Sequence, residues 1–343
     1  MKIQTELSPG DRSLLAEAID GFVPSVVVDI HAHVMEPRSY APTTLGEHLN
    51  GRTIGVAEYR QAMELLLPGE RVREALLFPF PARDHDRTAI DEWLYAQIAA
   101  RPDSFRAHAL AIVAPGDDPS LIAEAMTAGR CIGLKPYHFY AWPGDTSQVG
   151  VEDFAPEWMW QLCDTHGGVL MLHLMRDESV SDQGNREALL RLTAKYPRCQ
   201  AVLAHVARSF NHRTSRGLRA LADRPNVWID TSAITESEGL RAALELLGPG
   251  KVLYGSDYPV SHLRGRCVTA GNQFHWFYAD DTKPSAMTLV GIESLLALRS
   301  ACAQVGISPN EVQGIFRDNA WSLLGKARSS SGSAKLSVNQ VSQ

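Results

Sequence analysis

The chain has 343 residues, of which 45% are apolar and 21% charged, the proportions of a soluble globular protein with enough material for a large core. With 33 basic against 39 acidic residues it carries a formal net charge of -6, which excludes the basic footprint of a nucleic-acid or anionic-membrane binder. Its 5 cysteines are scattered and form no C-x-x-C pair, no window approaches the roughly 18 apolar residues of a membrane span, and the first residues lack a signal-peptide core, so reduced thiols and a cytoplasmic location are expected.

Residues 1–25 read as an N-terminal extension, followed by a first strand, "VVVDIHAHV" (26–34). Successive side chains of an extended chain alternate between faces, so His31 and His33 project the same way. Their Cα atoms are then about 6.6 Å apart, close enough for two rings to hold one ion. Chance alone supplies roughly 0.4 such pairs among 12 histidines, so the motif does not decide by itself. Further apolar, β-branched runs follow as "REALLFPF" (73–80), "FRAHALAIV" (105–113), "CIGLKPY" (131–137), "GVLMLHL" (168–174), "QAVLAHV" (200–206), "NVWIDTSA" (226–233) and "KVLYGSDYPV" (251–260).

Stretches of helical period separate these runs, among them "RTAIDEWLYAQIAARP", "SLIAEAMTAGR", "APEWMWQLCDTHG", "NREALLRLTAKYP" and "LRAALELLGPG". Eight alternating units predict an α/β protein, a (β/α)8 TIM barrel over 26–327, with long loop insertions after strands one (35–72), four (138–156) and eight (258–290). A doubly wound open sheet fits less well, since no Gly-rich phosphate turn follows the first strand. Residues 328–343, rich in Ser and poor in apolar side chains, are expected to be a disordered tail.

In a closed barrel the carboxyl ends of all strands meet at one mouth. Lys135, His173, His205 and Asp257 each stand near such an end, on different strands, beside the H-x-H pair. Any one of them alone reads most simply as a hydrogen-bonded core residue. Burying all of them without a cation leaves donors and acceptors unpaired at about 1–3 kcal/mol each, whereas one divalent ion would satisfy them. Arg176 and Arg208 follow His173 and His205 by three positions, with Arg213 close behind, and His262, Arg264 and Arg266 follow Asp257. Guanidinium forks at the mouth suit a carboxylate, so a small anionic substrate is expected, although each arginine is equally compatible with a surface ion pair. Tyr137, His138, Tyr140 and Trp142 after strand four, with Trp276 and Phe277, are candidates to wall the pocket.

The ordered set of H-x-H on strand one, lysine on strand four, histidines on strands five and six and "GSDYP" on strand eight resembles the amidohydrolase superfamily. "DIHAH", the "AH" of strand six, "YGSDYP" and the closing "VQGIFRDNAWSLLG" are similar to its amidohydrolase-related branch, which includes aminocarboxymuconate-semialdehyde decarboxylase and the resorcylate-type decarboxylases, over residues 26–325. The resemblance implies that His31, His33, His173 and Asp257 hold one metal ion, with zinc the first choice and manganese the substitute. It also implies that Asp257 takes a proton from the water that the ion activates, and that His205 meets the reacting carbonyl or the leaving group as acid or electrophile. Lys135, carboxylated in binuclear members, would there bridge a second metal. The preferred reading leaves it an amine paired with an anion or with Asp257.

Two activities stay open. Hydrolysis of an amide or ester (lactone) bond in a carboxylate-bearing substrate ranks first, and non-oxidative decarboxylation of an aromatic or enol carboxylic acid is the alternative. The continuation "HVARSFNHRTSRG" lacks the "GG" turn common after this histidine in the branch, so only the ligands carry over. Dimers are common among similar proteins, so a homodimer is an assembly that the resemblance allows without fixing it.

Overall fold

Strand β1 (Val27–Val34) is buried along its whole length, as a run of branched apolar residues flanked on both faces requires. Seven more strands follow: β2 (Val72–Pro79), β3 (Arg106–Ala109, resuming after Leu110 as Ala111–Val113), β4 (Gly133–Pro136), β5 (Val169–Leu172), β6 (Gln200–Leu203), β7 (Val227–Asp230) and β8 (Val252–Leu253). Each pairs in parallel with the next. At the break in β3, Leu110 donates its N–H to Leu77 O at 3.0 Å, and Ile132 donates to Ala109 O at 2.9 Å. The ring closes where His33 N donates to Tyr258 O (2.7 Å) and Asp257 N to His31 O (2.8 Å). With helices on its outside this is the (β/α)8 barrel that the alternation predicts. The computed structural model describes residues 2–37, 52–83, 85–270, 273–279 and 287–327. The predicted tail (328–343) and much of the segment after strand one (38–51) lie outside the described residues, as do 271–272 and 280–286.

Helix α1 (Pro9–Ile19) precedes the barrel, and α2 (Val56–Leu66), α3 (Arg87–Ala99), α4 (Pro119–Thr127), α5 (Glu157–His166), α6 (Gln183–Lys195), α7 (Ser237–Leu247) and α8 (Val290–Val305) surround it. Helix α1 starts with a reciprocal cap: Ser8 Oγ accepts from Asp11 N (3.1 Å) while Asp11 Oδ2 accepts from Ser8 N (2.8 Å). Among the described residues only short elements, Ala204–Arg208, His212–Ser215 and Arg216–Leu221, follow β6 before β7. Among the described residues no helix is long and apolar enough to cross a membrane.

Val28, Ile30, Leu76, Phe78, Met171 and Trp228 fill the barrel interior, which Ala320, Leu323 and Leu324 of the C-terminal helix close from below. A second, larger cluster lies between strands and helices. Strand β1 contributes to both, and the switch between them matters for the site. Val28 and Ile30 belong to the inner cluster, whereas Ala32 and Val34 belong to the outer one. The register of β1 against β2 shifts between Asp29 and Ala32. One extra residue in a strand reverses the facing of everything after it, so His31 and His33 point inward although Ile30 does as well.

The ladders end earlier than the apolar runs suggest. Strands β5, β6 and β8 stop at Leu172, Leu203 and Leu253, before His173, His205 and Asp257. A further element, the antiparallel hairpin β9 (Gly265–Ala270) and β10 (Gln273–Tyr278), stands within the segment after β8. Gly271-Asn272 between two alternating runs is a hairpin signal that the sequence reading passed over.

Candidate metal centre

His31 Nε2 and His33 Nε2 each lie 3.3 Å from Asp257 Oδ1. The three side chains are buried, and their ligand-type atoms all fall within 4.8 Å of one another. The hydrogen bonds behind them explain the orientation. His31 Nδ1 stands 2.8 Å from Asp230 Oδ2, and a carboxylate can only accept, so Nδ1 carries the proton and Nε2 presents a lone pair. His33 Nδ1 likewise faces Pro79 O at 3.5 Å. His31 Nε2 has no hydrogen-bond partner among the described residues. Two imidazole lone pairs turned on a carboxylate oxygen repel one another unless a cation stands between them, and that donor set suits a borderline divalent ion.

The surroundings hold each group in its charge state. Burial works against charge on Asp257; when His31 and His33 carry a second proton they donate to it and hold its pKa well below the ordinary carboxylate range, a part that a cation between them would take over. Burial works against charge on His31 too, and Asp230 overcomes it, raising the basicity of that ring. Burial lowers His33 to about 4. Gly255 makes room: a Cβ there would lie 2.7 Å from His31 Cβ, a separation that no packed pair tolerates.

Beyond β6 the backbone is unusual. His205, Val206, Ala207 and Arg208 are all left-handed, with φ of 55, 53, 54 and 54°. For residues with a Cβ this costs about 1–2 kcal/mol each, and such strain gathers at functional sites. The turn folds His205 back over the barrel, its ring 5.0 Å from that of His31 and 5.1 Å from that of His173. His205 Nδ1 faces Ser232 O at 2.9 Å, which leaves Nε2 as the free lone pair of the neutral ring.

Three of the four predicted ligands thus converge, and His173 stands beside them outside the 4.8 Å group. Its ring stacks on Tyr137 at 5.9 Å and approaches His138 at 5.7 Å, while its buried Nδ1 has no partner among the described residues. Lys135, fully buried, holds Nζ over the Phe78 ring (4.8 Å) and the Tyr137 ring (5.1 Å). Burial draws its pKa down to about 8, against the pull of Asp230 and Asp257. His138 lies at the rim, with Nδ1 2.7 Å from Thr146 Oγ1. Arg208 donates to Leu174 O (3.1 Å), lies over the Phe274 ring (5.0 Å) and lines a cavity of about 90 Å³ with Arg176, Phe210 and Phe274.

Other expected substrate contacts are engaged elsewhere. Arg176 donates to Asp182 Oδ1 (2.7 Å) and to Gln148 O (3.2 Å). Arg264 grips Asp11 through both carboxylate oxygens and donates to Met287 O at 2.9 Å, tying α1 to the chain before α8. His262 is fully buried between Ala62 O (2.9 Å) and Ser261 Oγ (3.1 Å). Held by these partners, Arg264 and His262 act as structural ties. Arg213 meets Glu178 (3.8 Å) in an exposed pair, and Arg266 meets the half-buried Glu293 (3.6 Å).

The sequence reading missed Asp230. Fully buried at the end of β7, it accepts from His31 Nδ1, from His205 N (2.8 Å), from Ser232 N (3.1 Å) and from Ser232 Oγ. Burial would raise its pKa, and the His31 partner brings it down to about 2. The "ID" ending of "NVWID" at a strand terminus was the available signal.

The Amidohydro_2 (amidohydrolase) family model matches residues 28–326. Among solved structures, a zinc-bound amidohydrolase from Burkholderia multivorans is 15% identical, covering 86% of this chain and 97% of that one, with a TM-score of 0.57. A probable 2-pyrone-4,6-dicarboxylic acid hydrolase from Acinetobacter baumannii with citric acid bound is 14% identical, covering 87% and 99%, with a TM-score of 0.57. The 2,6-dihydroxybenzoate decarboxylase from Rhizobium is 16% identical, covering 88% and 98%, with a TM-score of 0.52. No curated protein matches the chain by sequence. At such identities the likeness speaks for the barrel alone, but the family match spans nearly the whole of it. The chain belongs to the amidohydrolase family and is an enzyme of that superfamily.

Proposed function

We propose that this barrel is a metal-dependent hydrolase that cleaves an amide or ester (lactone) bond in a small carboxylate-bearing substrate. The observation that carries the reading is the meeting of His31 Nε2, His33 Nε2 and Asp257 Oδ1 inside 4.8 Å. These residues would hold a divalent ion, zinc first and manganese as substitute, with His173 as fourth donor. When bound, such an ion polarises a carbonyl and makes a nearby water more acidic.

The chain's own groups then handle protons. Asp257, held ionised, accepts a proton from the attacking water. His205, neutral with Nε2 free, begins as an acceptor and becomes a donor only after it has taken up a proton. This changes the acid role that the resemblance implies into that of a relay, which takes the proton that Asp257 received and delivers it to the leaving group as the C–N or C–O bond breaks, leaving Asp257 ionised again. Arg208 at the rim orients the substrate's carboxylate.

The rival reading, decarboxylation, requires a group that delivers a proton to carbon. Burial holds the His205 ring toward its neutral form, so it enters the reaction as an acceptor, which is the part that hydrolysis asks of it. The test incubates metal-loaded enzyme with lactones, amides and aromatic or enol carboxylates, scoring acid release and CO2 separately. Acid release without CO2 is the expected result, and CO2 without hydrolysis would overturn it.

A further inference from the structure

Lys135, whose side chain lies among the residues around the metal centre, has no use in the hydrolytic scheme. It is fully buried, and its Nζ finds no hydrogen-bond partner among the described residues. A buried ammonium with no acceptor is costly and persists only where something else satisfies it. Two aromatic faces do part of this: Nζ stands 4.8 Å from the centroid of Phe78 and 5.1 Å from that of Tyr137. The same rings form walls of the metal centre. Phe78 packs 5.0 Å from the His31 ring and 4.6 Å from the His33 ring, and Tyr137 stacks 5.9 Å from His173. The two rings that the amine stands over are therefore the ones packed against the ligand histidines.

The clamp also discriminates between chemical states of the lysine. An aromatic face carries negative quadrupolar charge, which attracts a cation and repels an anion. A carbamate on Nζ would set a third negative group against two ring faces and beside Asp230 and Asp257. The ammonium suits those neighbours, and its N–H donors remain available to a ligand.

We propose that Lys135 stays an unmodified ammonium and binds an anionic oxygen of the substrate beside the metal ligands, in place of bridging a second ion. This rests on the reading of the site given above. The substrate is thereby gripped by a cation at the floor of the mouth, distinct from Arg208 at its rim.

The test uses the purified full chain loaded with zinc, with benzoate as probe and benzamide as its neutral isostere. Wild type should bind benzoate more tightly than benzamide. Lys135→Met should weaken benzoate by about 10-fold or more and leave benzamide unchanged, while keeping the zinc content of wild type. Wild type in 13C-bicarbonate should show no carbamate resonance, a measurement that needs no variant. A carbamate signal, loss of zinc from Lys135→Met, or benzoate binding that is absent or indifferent to the substitution would each overturn the proposal. Zinc content of wild type separates the two levels: a chain that takes up no zinc yet binds benzoate through Lys135 refutes the metal reading and leaves this one standing.

Discussion

Asp257 is asked to do two things, to face the ion and to accept a proton, and only the second needs its charge. Asp257→Asn keeps the shape and an oxygen donor, so kcat should fall by about 10²-fold or more while metal content changes less. Steady-state kinetics alongside elemental analysis checks this, and a near-normal rate would remove the role of base. Asp230 acts one step further back. Its charge fixes the His31 tautomer, so Asp230→Asn should weaken zinc binding by about 10- to 100-fold, read by competition with a chelating dye. His31, His33 and Asp257 were legible in the sequence because ligand chemistry repeats at strand ends. Asp230 was not, because a lone acid closing "NVWID" looks like any polar strand terminus until the fold sets it 2.8 Å from His31 Nδ1. Arg264 misled for the converse reason: proximity to Asp257 along the chain said nothing of Asp11, 253 residues away, which holds it.

Elements position these groups through irregularities more than through regular ladders. The shift in β1 between Asp29 and Ala32 turns both histidines inward, and the left-handed run from His205 to Arg208 folds a ligand-type ring over the barrel. Period-two alternation predicted that His31 and His33 share a face. It could not foresee that Ile30 would join the same interior, since a bulge has no strong composition signature. Strand existence was readable from β-branched runs, but strand ends were not, because "VLMLHL" and "AVLAHV" stay apolar past the last ladder bond. Gly255 gives this scale its test. A methyl at this position would sit 2.7 Å from His31 Cβ and 3.2 Å from Ser232 Cβ, pushing β1 away from the chain after β8. Gly255→Ala should cost about 1–3 kcal/mol by chemical denaturation and weaken zinc binding as well. Full stability with full zinc affinity would show that the seam is more yielding than its packing implies.

At the scale of the whole molecule, the barrel brings together residues from β1 and from the far end of the chain, and ties outside the site hold that ring closed. Asp11 and Arg264 join α1 to the segment before α8. Burial pushes the Asp11 carboxyl up, but Arg264, Thr288 and Ser8 outweigh it and hold its pKa below the ordinary 3.8. A depressed folded-state pKa means that stabilisation is complete above the unfolded value and is lost as pH falls through the folded one. Asp11→Asn should therefore cost about 3 kcal/mol at pH 7, and the gap from wild type should narrow as pH drops below 3.8. Urea denaturation across that range measures it. The eightfold alternation was plain in the sequence, whereas this long-range tie was not, because ion pairs between distant segments leave no periodic trace. The central claim is that one divalent ion, gathered from strands far apart in the chain, makes this barrel an enzyme. Elemental analysis of active protein before and after chelation tests it most directly: about one transition-metal ion per chain is expected, with activity lost on removal and restored by zinc or manganese, and full activity in a metal-free sample would contradict it.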